Sequence, residues 1–329
     1  GGWSTAESTK CCGDDARIER VVDSGAKGAC IHPTRRARHT RWPAIMIAAR
    51  FLDIGVLEPL VFHATYSGIA EALPHDAAPV VMWGRSTPHL SLGQSQDRRL
   101  ELTADLDVPV VTRPLGGGAV WIDEAQHCLI LIAPLAQAPP RPADWFAWGL
   151  APVIATYRRF GLRVTRREQD VWLAGRKISG SGAATIGLSA VFASSFMLRF
   201  PAGKFARCIF SASPGFRDWL TAGLQHAMTD WQSHQPLPSA AELRRTFRSE
   251  VEHAFDWRLT DSRLSSAELQ ARDAALGALA DPEPSCRRQI ADGIKLNAAT
   301  FLTERRSGLL IERSLSVDGV VVRRCTTAD

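Results

Sequence analysis

The sequence lacks several features that would assign it at once to a class of protein. None of its apolar runs approaches the roughly 20 residues that a membrane-spanning helix needs, so we expect no membrane segment. Residues 1–30 contain no apolar stretch typical of a secretory signal peptide, and we therefore expect a cytoplasmic protein. The seven cysteines include no CxxC pair and are odd in number, which favours reduced thiols over a disulfide framework or a zinc site.

The remaining composition is that of an ordinary globular protein, with 45% hydrophobic and 22% charged residues. A chain of 329 residues is long enough for a catalytic domain and a smaller second domain. The net charge of +5 is mild. It suits an acidic protein partner or a nucleotide as well as a nucleic acid, so charge alone does not choose among them.

Three segments differ in their patterning. Residues 1–44 carry a basic stretch and little apolar periodicity, which predicts a poorly ordered N-terminal extension. Over residues 45–235 short apolar strands alternate with helical stripes, as expected for a catalytic domain, and a Pro- and Ser-rich linker follows. Ser239 with Glu242 and Ser265 with Glu268 match capping boxes, which predict two helices in a small helix-plus-sheet domain over residues 240–329.

A run of three glycines, Gly116 to Gly118, lies between two short apolar strands. Without Cβ atoms, such a run lets backbone N–H groups touch a ligand and can form a nest for a phosphate or a carboxylate. Arg113, just upstream, could pair with the same anion. A tight turn without any ligand is the ordinary alternative. The segment has neither the GxGxxG spacing of a dinucleotide fold nor the Lys-Ser/Thr of a P-loop.

A lysine among glycines and hydroxyl residues marks a second segment, residues 169–182. Two short strands there flank Ala174-Gly175, a pair that predicts a hairpin. Lys177 can place a positive charge where negative charge develops during acyl activation. Asp170 offers the carboxylate oxygen that Mg²⁺ prefers. A solvated lysine on a surface hairpin is the alternative.

Taken in order, these segments resemble those of the lipoate–protein ligase family, within the wider biotin/lipoate ligase superfamily. In the first segment the matching positions are Arg113, Gly116, Gly117, Gly118, Ala119, Val120 and Asp123. In the second segment they are Asp170, Gly175, Lys177, Ser179, Gly180 and Ser181. Residues 83–96 resemble the family's first pocket segment, and residues 294–319 resemble part of its accessory domain. The resemblance covers the chain from about residue 50 to the C-terminus.

The resemblance implies an α+β fold: a mixed β-sheet with helices on one face, similar to the core of class II tRNA synthetases, and a small α+β accessory domain. It implies a two-step reaction, in which ATP and lipoate or octanoate give an acyl-adenylate that then acylates a lysine of a lipoyl carrier domain. Such carriers are the acyltransferase subunits of 2-oxoacid dehydrogenases and the glycine cleavage H protein. No nucleic-acid partner is expected.

The resemblance also implies a role for each matching residue. Lys177 is the central catalytic lysine, which contacts the substrate carboxylate and the α-phosphate. Asp170 is the candidate Mg²⁺ ligand. Trp83 and Leu92 are expected to line the tunnel for the aliphatic tail. The other expected substrate- or nucleotide-binding residues are Arg113, Gly116, Gly117, Gly118, Ala119, Val120, Asp123, Ser179 and Gly180.

Departures from the family pattern leave alternatives open. Thr112 stands where many members have a second arginine, and Gln169 replaces the usual asparagine before Asp170. An octanoyl- or lipoyltransferase of the same fold would form a thioester on a cysteine, for which Cys208 is the candidate, although its segment also suits simple packing. A non-catalytic lipoyl-binding scaffold is the other alternative. Biotin ligation is disfavoured because the Gly-Arg-Gly-Arg loop of that branch is missing.

Overall fold

The computed structural model describes residues 46–211, 213–280 and 292–328. The predicted extension over residues 1–44 lies outside these ranges. Within them, the helices are all too short or too polar to cross a lipid bilayer. The cytoplasmic location stays a prediction.

Strands and α-helices alternate along the described residues. The strands are β1 (Ile47–Leu57), β2 (Val80–Ser86), β3 (His89–Leu92), β4 (Val110–Thr112), β5 (Val120–Ile122), β6 (Gln126–Pro134), β7 (Thr165–Arg167), β8 (Asp170–Leu173), β9 (Arg176–Ser179), β10 (Ser181–Ile186), β11 (Ser189–Met197), β12 (Trp257–Asp261), β13 (Gly293–Lys295), β14 (Thr300–Ser307), β15 (Leu310–Val317) and β16 (Val320–Ala328). The helices are α1 (Pro59–Ala72), α2 (Arg98–Glu101), α3 (Trp145–Arg159), α4 (Ala202–Cys208), α5 (Pro214–Ala227), α6 (Ala240–Phe255) and α7 (Ser266–Ala280).

A six-stranded mixed sheet is the largest sheet of the described residues, with the strand order β10-β11-β6-β2-β1-β12. β1 pairs in parallel with β2 and β12, whereas the pairs β2–β6, β6–β11 and β10–β11 are antiparallel. The predicted α+β fold with a mixed sheet is therefore confirmed.

Helices cover both faces of this sheet, and the expectation that they lie on one face is wrong. Met82 packs in the core beneath α1, whereas the next residue, Trp83, belongs to the core between the sheet and helices α3 and α6. Every residue of β6 is buried. A strand that is apolar on both faces needs a packed layer on each side, so the continuous apolar run of β6 already requires two helical layers.

Both predicted capping boxes begin helices. The Glu242 N–H donates to Ser239 Oγ at 3.2 Å at the start of α6. At the start of α7 the bonding is reciprocal: the Glu268 N–H donates to Ser265 Oγ at 3.2 Å, and the Ser265 N–H donates to Glu268 Oε2 at 2.7 Å. These bonds satisfy N–H groups that have no partner within the first helical turn.

The region predicted as a small second domain divides into two parts in the structure. α6 and β12 belong to the layers of the central sheet, because β12 pairs with β1. Strands β13 to β16 form a separate four-stranded antiparallel sheet. The described residues all belong to one compact unit. The domain boundaries at about residues 235 and 240 stay a prediction.

Candidate active site

A cavity of about 390 Å³ lies between the triple-glycine segment and the hairpin that carries Lys177. This volume is within the range of small-molecule sites. Gly117 and Gly118 line one side of it, and Lys177 and Gly180 line another. Ala119, Val120, Arg113, Asp170 and Ser179 also contribute to the lining. The structure therefore brings together most of the residues that the sequence nominated.

Arg113 holds the triple-glycine segment in place. Its Nη1 donates to the Ser91 carbonyl at 2.7 Å, and its Nη2 donates to the carbonyls of Gly116 and Gly118 at 2.8 and 2.9 Å. Gly117 has a φ of +100°, and a Cβ at this position would lie 2.9 Å from Arg113 Nη2. Glycine is therefore required here by both its backbone conformation and the approach of the guanidinium group.

The charge of Arg113 is buried, because the residue is only 8% exposed. Desolvation lowers its pKa to about 10, so the guanidinium group remains charged at neutral pH. Among the ion pairs formed by the described residues, none involves Arg113. A buried cation without a carboxylate partner favours an anion nearby, and the cavity in front of it is where such an anion fits.

Lys177 reaches the cavity from β9. Its Nζ lies 2.9 Å from Asp170 Oδ1, and both side chains are mostly buried. The predicted hairpin is confirmed: β8 and β9 pair antiparallel around Ala174 and Gly175, which both have positive φ values, of 50° and 76°. A Cβ at Gly180 would lie 2.9 Å from Lys177 Nζ, so this glycine leaves space for the ammonium group.

The candidate Mg²⁺ ligand, Asp170, lines the cavity but is already paired with Lys177. In the part of the chain that the structure describes, no group of three or more His, Cys, Asp and Glu side chains could hold a metal ion. Mg²⁺ is often bound by one or two carboxylates together with substrate phosphates and water. Asp170 could supply one such carboxylate oxygen, with the phosphates of a nucleotide supplying the others.

Four nominated residues do not line the cavity. Trp83 stacks on Phe247 with ring centroids 5.3 Å apart, on the opposite face of the sheet. Leu92 is fully buried in a different apolar cluster. Asp123 accepts hydrogen bonds from Trp121 Nε1 and the Ala125 N–H. Gly116 contributes its carbonyl to Arg113 instead. Trp83 misses the cavity because alternate residues of a strand face opposite sides, and its neighbour Met82 is the one that packs beneath α1. Leu92 is fully buried in a cluster whose members Trp121 and Phe205 line the cavity in its place.

Sequence reasoning missed the apolar part of the cavity. α1 contributes Phe62, His63 and Tyr66, and β6 contributes Cys128 and Ile130. Tyr66 is four positions from Phe62 and three positions from His63, spacings that place residues on the same side of a helix. In the sequence, a Pro at the start of the helix followed by aromatic residues at this spacing indicates an apolar side of a helix. Nothing in the local sequence indicates that this side of α1 lines a cavity.

The lining residues that are exposed to solvent were also only partly predicted from the sequence. Glu168 and Gln169, which precede the Lys177 hairpin, line the cavity and are exposed. Lys295, the last residue of β13, and residues 296–298, in the connection to β14, line the cavity as well. The four-stranded sheet therefore contributes directly to the site.

Cys208, the nucleophile of the thioester alternative, is not among the residues that line the cavity. Its Sγ donates to the Lys204 carbonyl at 3.3 Å, and burial raises the pKa of the thiol. Cys128 does line the cavity, but burial raises its pKa to about 12. Reactive cysteines have a lowered pKa and some exposure, so neither thiol has the surroundings of a nucleophile.

A comparison with models of protein families identifies one family. The family model described as the lipoyl protein ligase A/B catalytic domain matches residues 65–251. A bipartite lipoate protein ligase from Thermoplasma acidophilum, solved in a study of that ligase and its E2 lipoyl domain, is similar in structure: the TM-score is 0.64 at 16% identity, over 70% of this chain and 92% of that chain. Lipoate-protein ligase A bound with ATP gives a TM-score of 0.60 at 14% identity, over 70% of this chain and 94% of that one.

A third similar structure is P. falciparum LipL1 in complex with lipoate, with a TM-score of 0.55 at 12% identity, over 82% of this chain and 85% of that one. None of the curated proteins compared matches the sequence. At these identities, the likeness to solved structures shows the fold.

Proposed function

The chain belongs to the lipoyl protein ligase A/B catalytic-domain family, and from this membership and the geometry of the cavity we propose that it is a lipoate–protein ligase. It uses ATP to activate a lipoyl or similar acyl carboxylate and transfers the acyl group to a lysine of a lipoyl carrier domain. One observation carries the proposal: Lys177 and the triple-glycine segment line the same cavity.

The first step requires charge neutralisation more than covalent help from the protein. A carboxylate oxygen bonds to the α-phosphorus of ATP, the bond to the bridging oxygen breaks, and pyrophosphate leaves. Lys177 supplies a positive charge beside the anions that react, and the buried charge of Arg113 adds to it from behind the triple-glycine segment. Holding the two reacting anions together in one cavity would lower much of the remaining barrier.

Mg²⁺ would offset charge on the departing pyrophosphate. Asp170 would supply one oxygen ligand to the Mg²⁺ ion, and the phosphates of the nucleotide would supply others.

The second step is attack by the neutral amine of a carrier lysine on the activated carbonyl, with AMP as the leaving group. We expect that lysine to enter past Glu168 and Gln169, which line the cavity and are exposed. The carrier would be a lipoyl domain of a 2-oxoacid dehydrogenase acyltransferase or the glycine cleavage H protein. The net charge of +5 favours an acidic carrier through steering.

Ligation is supported over thioester transfer by the surroundings of the two cysteines near the site. Cys208 is packed outside the cavity, and the Cys128 thiol is buried and protonated. An acyl-adenylate route needs no thiol nucleophile.

The test is incubation with a lipoyl-domain acceptor, ATP, Mg²⁺ and lipoate, followed by intact-mass analysis of the acceptor. We expect a mass gain of one lipoyl group that is lost in Lys177→Ala. Lys204→Ala is the matched control, because Lys204 is exposed and does not line the cavity. If no free acid produces a mass gain with the intact protein, ligation is wrong. A protein that binds lipoate without modifying any carrier would be the scaffold instead.

A further inference from the structure

The backbone of Lys177 is held from two sides. On one side Lys177 pairs with Trp172 of β8. On the other side it forms an isolated parallel β-bridge with Met228, and the Thr229 N–H donates to the Lys177 carbonyl at 2.8 Å. We call residues 227–229, which begin at the last residue of α5, the bridging segment. The position of the Lys177 ammonium group in the cavity therefore depends on where this segment lies.

A side chain from the four-stranded sheet bonds the bridging segment. Asn297 lies in the connection between β13 and β14, lines the cavity and is 4% exposed. Its Oδ1 accepts from the N–H groups of Ala299 and Thr300, both at 2.9 Å. Its Nδ2 donates to the Ala227 carbonyl at 3.1 Å. Because a backbone carbonyl can only accept, these bonds fix the orientation of the amide, and Asn297 joins the connection to the bridging segment.

The four-stranded sheet contacts α5 at two further places. At the start of the helix, Ser213 Oγ accepts the Phe216 N–H and donates to Glu304 Oε2 at 2.8 Å. In the last turn, a Cβ at Gly223 would lie only 2.7 Å from Leu302 Cδ1, so the helix and β14 are in close contact. The sheet therefore holds α5 at both of its ends, and Asn297 extends that contact to the bridging segment.

We propose that Asn297 is a positioning residue for the reaction: by bonding the Ala227 carbonyl it fixes the bridging segment, and through that segment it places the ammonium group of Lys177. The inference rests on the proposed function for the role of Lys177, whereas the hydrogen bonds of Asn297 do not depend on that role. A misplacement of about 1 Å at a reacting centre can slow a reaction about 100-fold. A small shift of the bridging segment is therefore enough to change the rate.

Asn297→Ser tests the link between Asn297 and the bridging segment. Serine can still accept a hydrogen bond from the backbone two residues on, but its shorter side chain loses the donor that reaches Ala227. The substitution adds no charge to the cavity. Thr303→Val is the matched control, because it removes the 2.8 Å hydrogen bond between Thr303 Oγ1 and Ser314 Oγ within the same sheet, and Thr303 does not line the cavity.

Lipoate-dependent ATP–pyrophosphate exchange measures the size of the effect. We expect kcat/KM to fall about tenfold in Asn297→Ser and to stay within about twofold in Thr303→Val. A double-mutant cycle then shows whether the effect passes through Lys177. Binding of a stable acyl-adenylate analogue, the acyl sulfamate of adenosine, is measured by calorimetry in the unaltered protein, Asn297→Ser, Lys177→Ala and the double variant. Asn297→Ser should weaken binding about fivefold when Lys177 is present and less than about twofold when it is absent.

An equal loss of binding in both Lys177 backgrounds would mean that Asn297 acts on the ligand directly, and it overturns the proposal. Unchanged pyrophosphate exchange in a folded Asn297→Ser protein overturns it as well. If Asn297→Ser does not fold, the cycle is made with Gly223→Ala, whose Cβ presses on Leu302 and displaces α5 from the sheet. An equal loss in both backgrounds, or no loss, then has the same meaning.

A measurement without substrate separates this proposal from ligation. The Thr229 N–H is bonded to the Lys177 carbonyl, so its exchange with deuterium reports directly on the bridging segment. We expect this amide to exchange faster in Asn297→Ser than in the unaltered protein, and to be unchanged in Thr303→Val. If the unaltered protein shows no pyrophosphate exchange, ligation is wrong, while faster deuterium exchange at Thr229 still supports the link to Lys177. Unchanged deuterium exchange at Thr229 in Asn297→Ser refutes the link even if ligation stands.

Discussion

Replacement of His127 by phenylalanine should make the protein more resistant to acid. His127 lies on β6 and stacks on Trp83 with ring centroids 5.2 Å apart and an interplanar angle of 28°. Its Nδ1 is buried and has no hydrogen-bond partner among the described residues. Phenylalanine keeps the stacked ring and removes a buried polar atom, so we expect the fold to tolerate the change at neutral pH.

The size of the effect follows from the pKa of His127. Burial, together with the nearby charge of Arg85, lowers it to about 4 from an ordinary value near 6.5. Between these two values the unfolded chain binds a proton that the folded chain does not bind. Stability is therefore fully present above about pH 6.5 and is lost as the pH falls towards 4. Linkage gives a loss of about 2 kcal/mol at this one residue between pH 7 and pH 5.

Urea unfolding at pH 7 and at pH 5 measures this loss directly. Protonation of the buried His63 and His89 lowers the free energy of unfolding of both proteins in the same way. The difference between the unaltered protein and His127→Phe therefore isolates the contribution of residue 127. We expect the variant to lose about 2 kcal/mol less than the unaltered protein over this range. The exposed His75, changed to glutamine, serves as the control. Equal losses in the unaltered protein and His127→Phe would refute the assignment of a buried neutral imidazole.

Three further predictions concern the proposed reaction. Gly117→Ala should slow lipoate-dependent pyrophosphate exchange about 10- to 100-fold, because the positive φ and the approach to Arg113 strain the triple-glycine segment by about 1–3 kcal/mol. Gly180→Ala should lower kcat/KM in the same assay by about tenfold with little change in Tm, because its Cβ displaces the ammonium of Lys177. Cys208→Ala should retain acceptor modification within about twofold; loss of modification together with absent exchange would favour thioester transfer instead.

Local structure was predictable from the sequence wherever the physical cause is itself local. The Ser265–Glu268 capping box and the Ala174-Gly175 hairpin depend on bonds and backbone conformations within a few residues. Their residue types therefore carry enough information to place them. The mixed sheet was accessible through the family resemblance, whereas the helical layer on each face was already required by the apolar run of β6.

The lining of the cavity was predictable only in part, because it depends on which side of the sheet each residue faces. Met82 and Trp83 are neighbours in one buried strand, and both are apolar. The pattern of such a strand does not distinguish the face beneath α1 from the face beneath α6. Tyr66 and residues 295–298 reach the cavity through contacts between segments more than 200 residues apart in the chain, and no local signal records such contacts.

Arg113 lines the cavity, as the sequence suggested, but its contacts differ from those expected. The sequence suggested a guanidinium group that pairs directly with an anion. In the structure its Nη1 and Nη2 donate to the carbonyls of Ser91, Gly116 and Gly118, so these donors are already used within the protein. Its influence on a ligand is therefore exerted through its buried charge and through the conformation it imposes on Gly117. A lysine at position 113 could supply the charge but not the several hydrogen-bond donors of the guanidinium group. The buried charge and the conformation of Gly117 therefore both depend on arginine at this position.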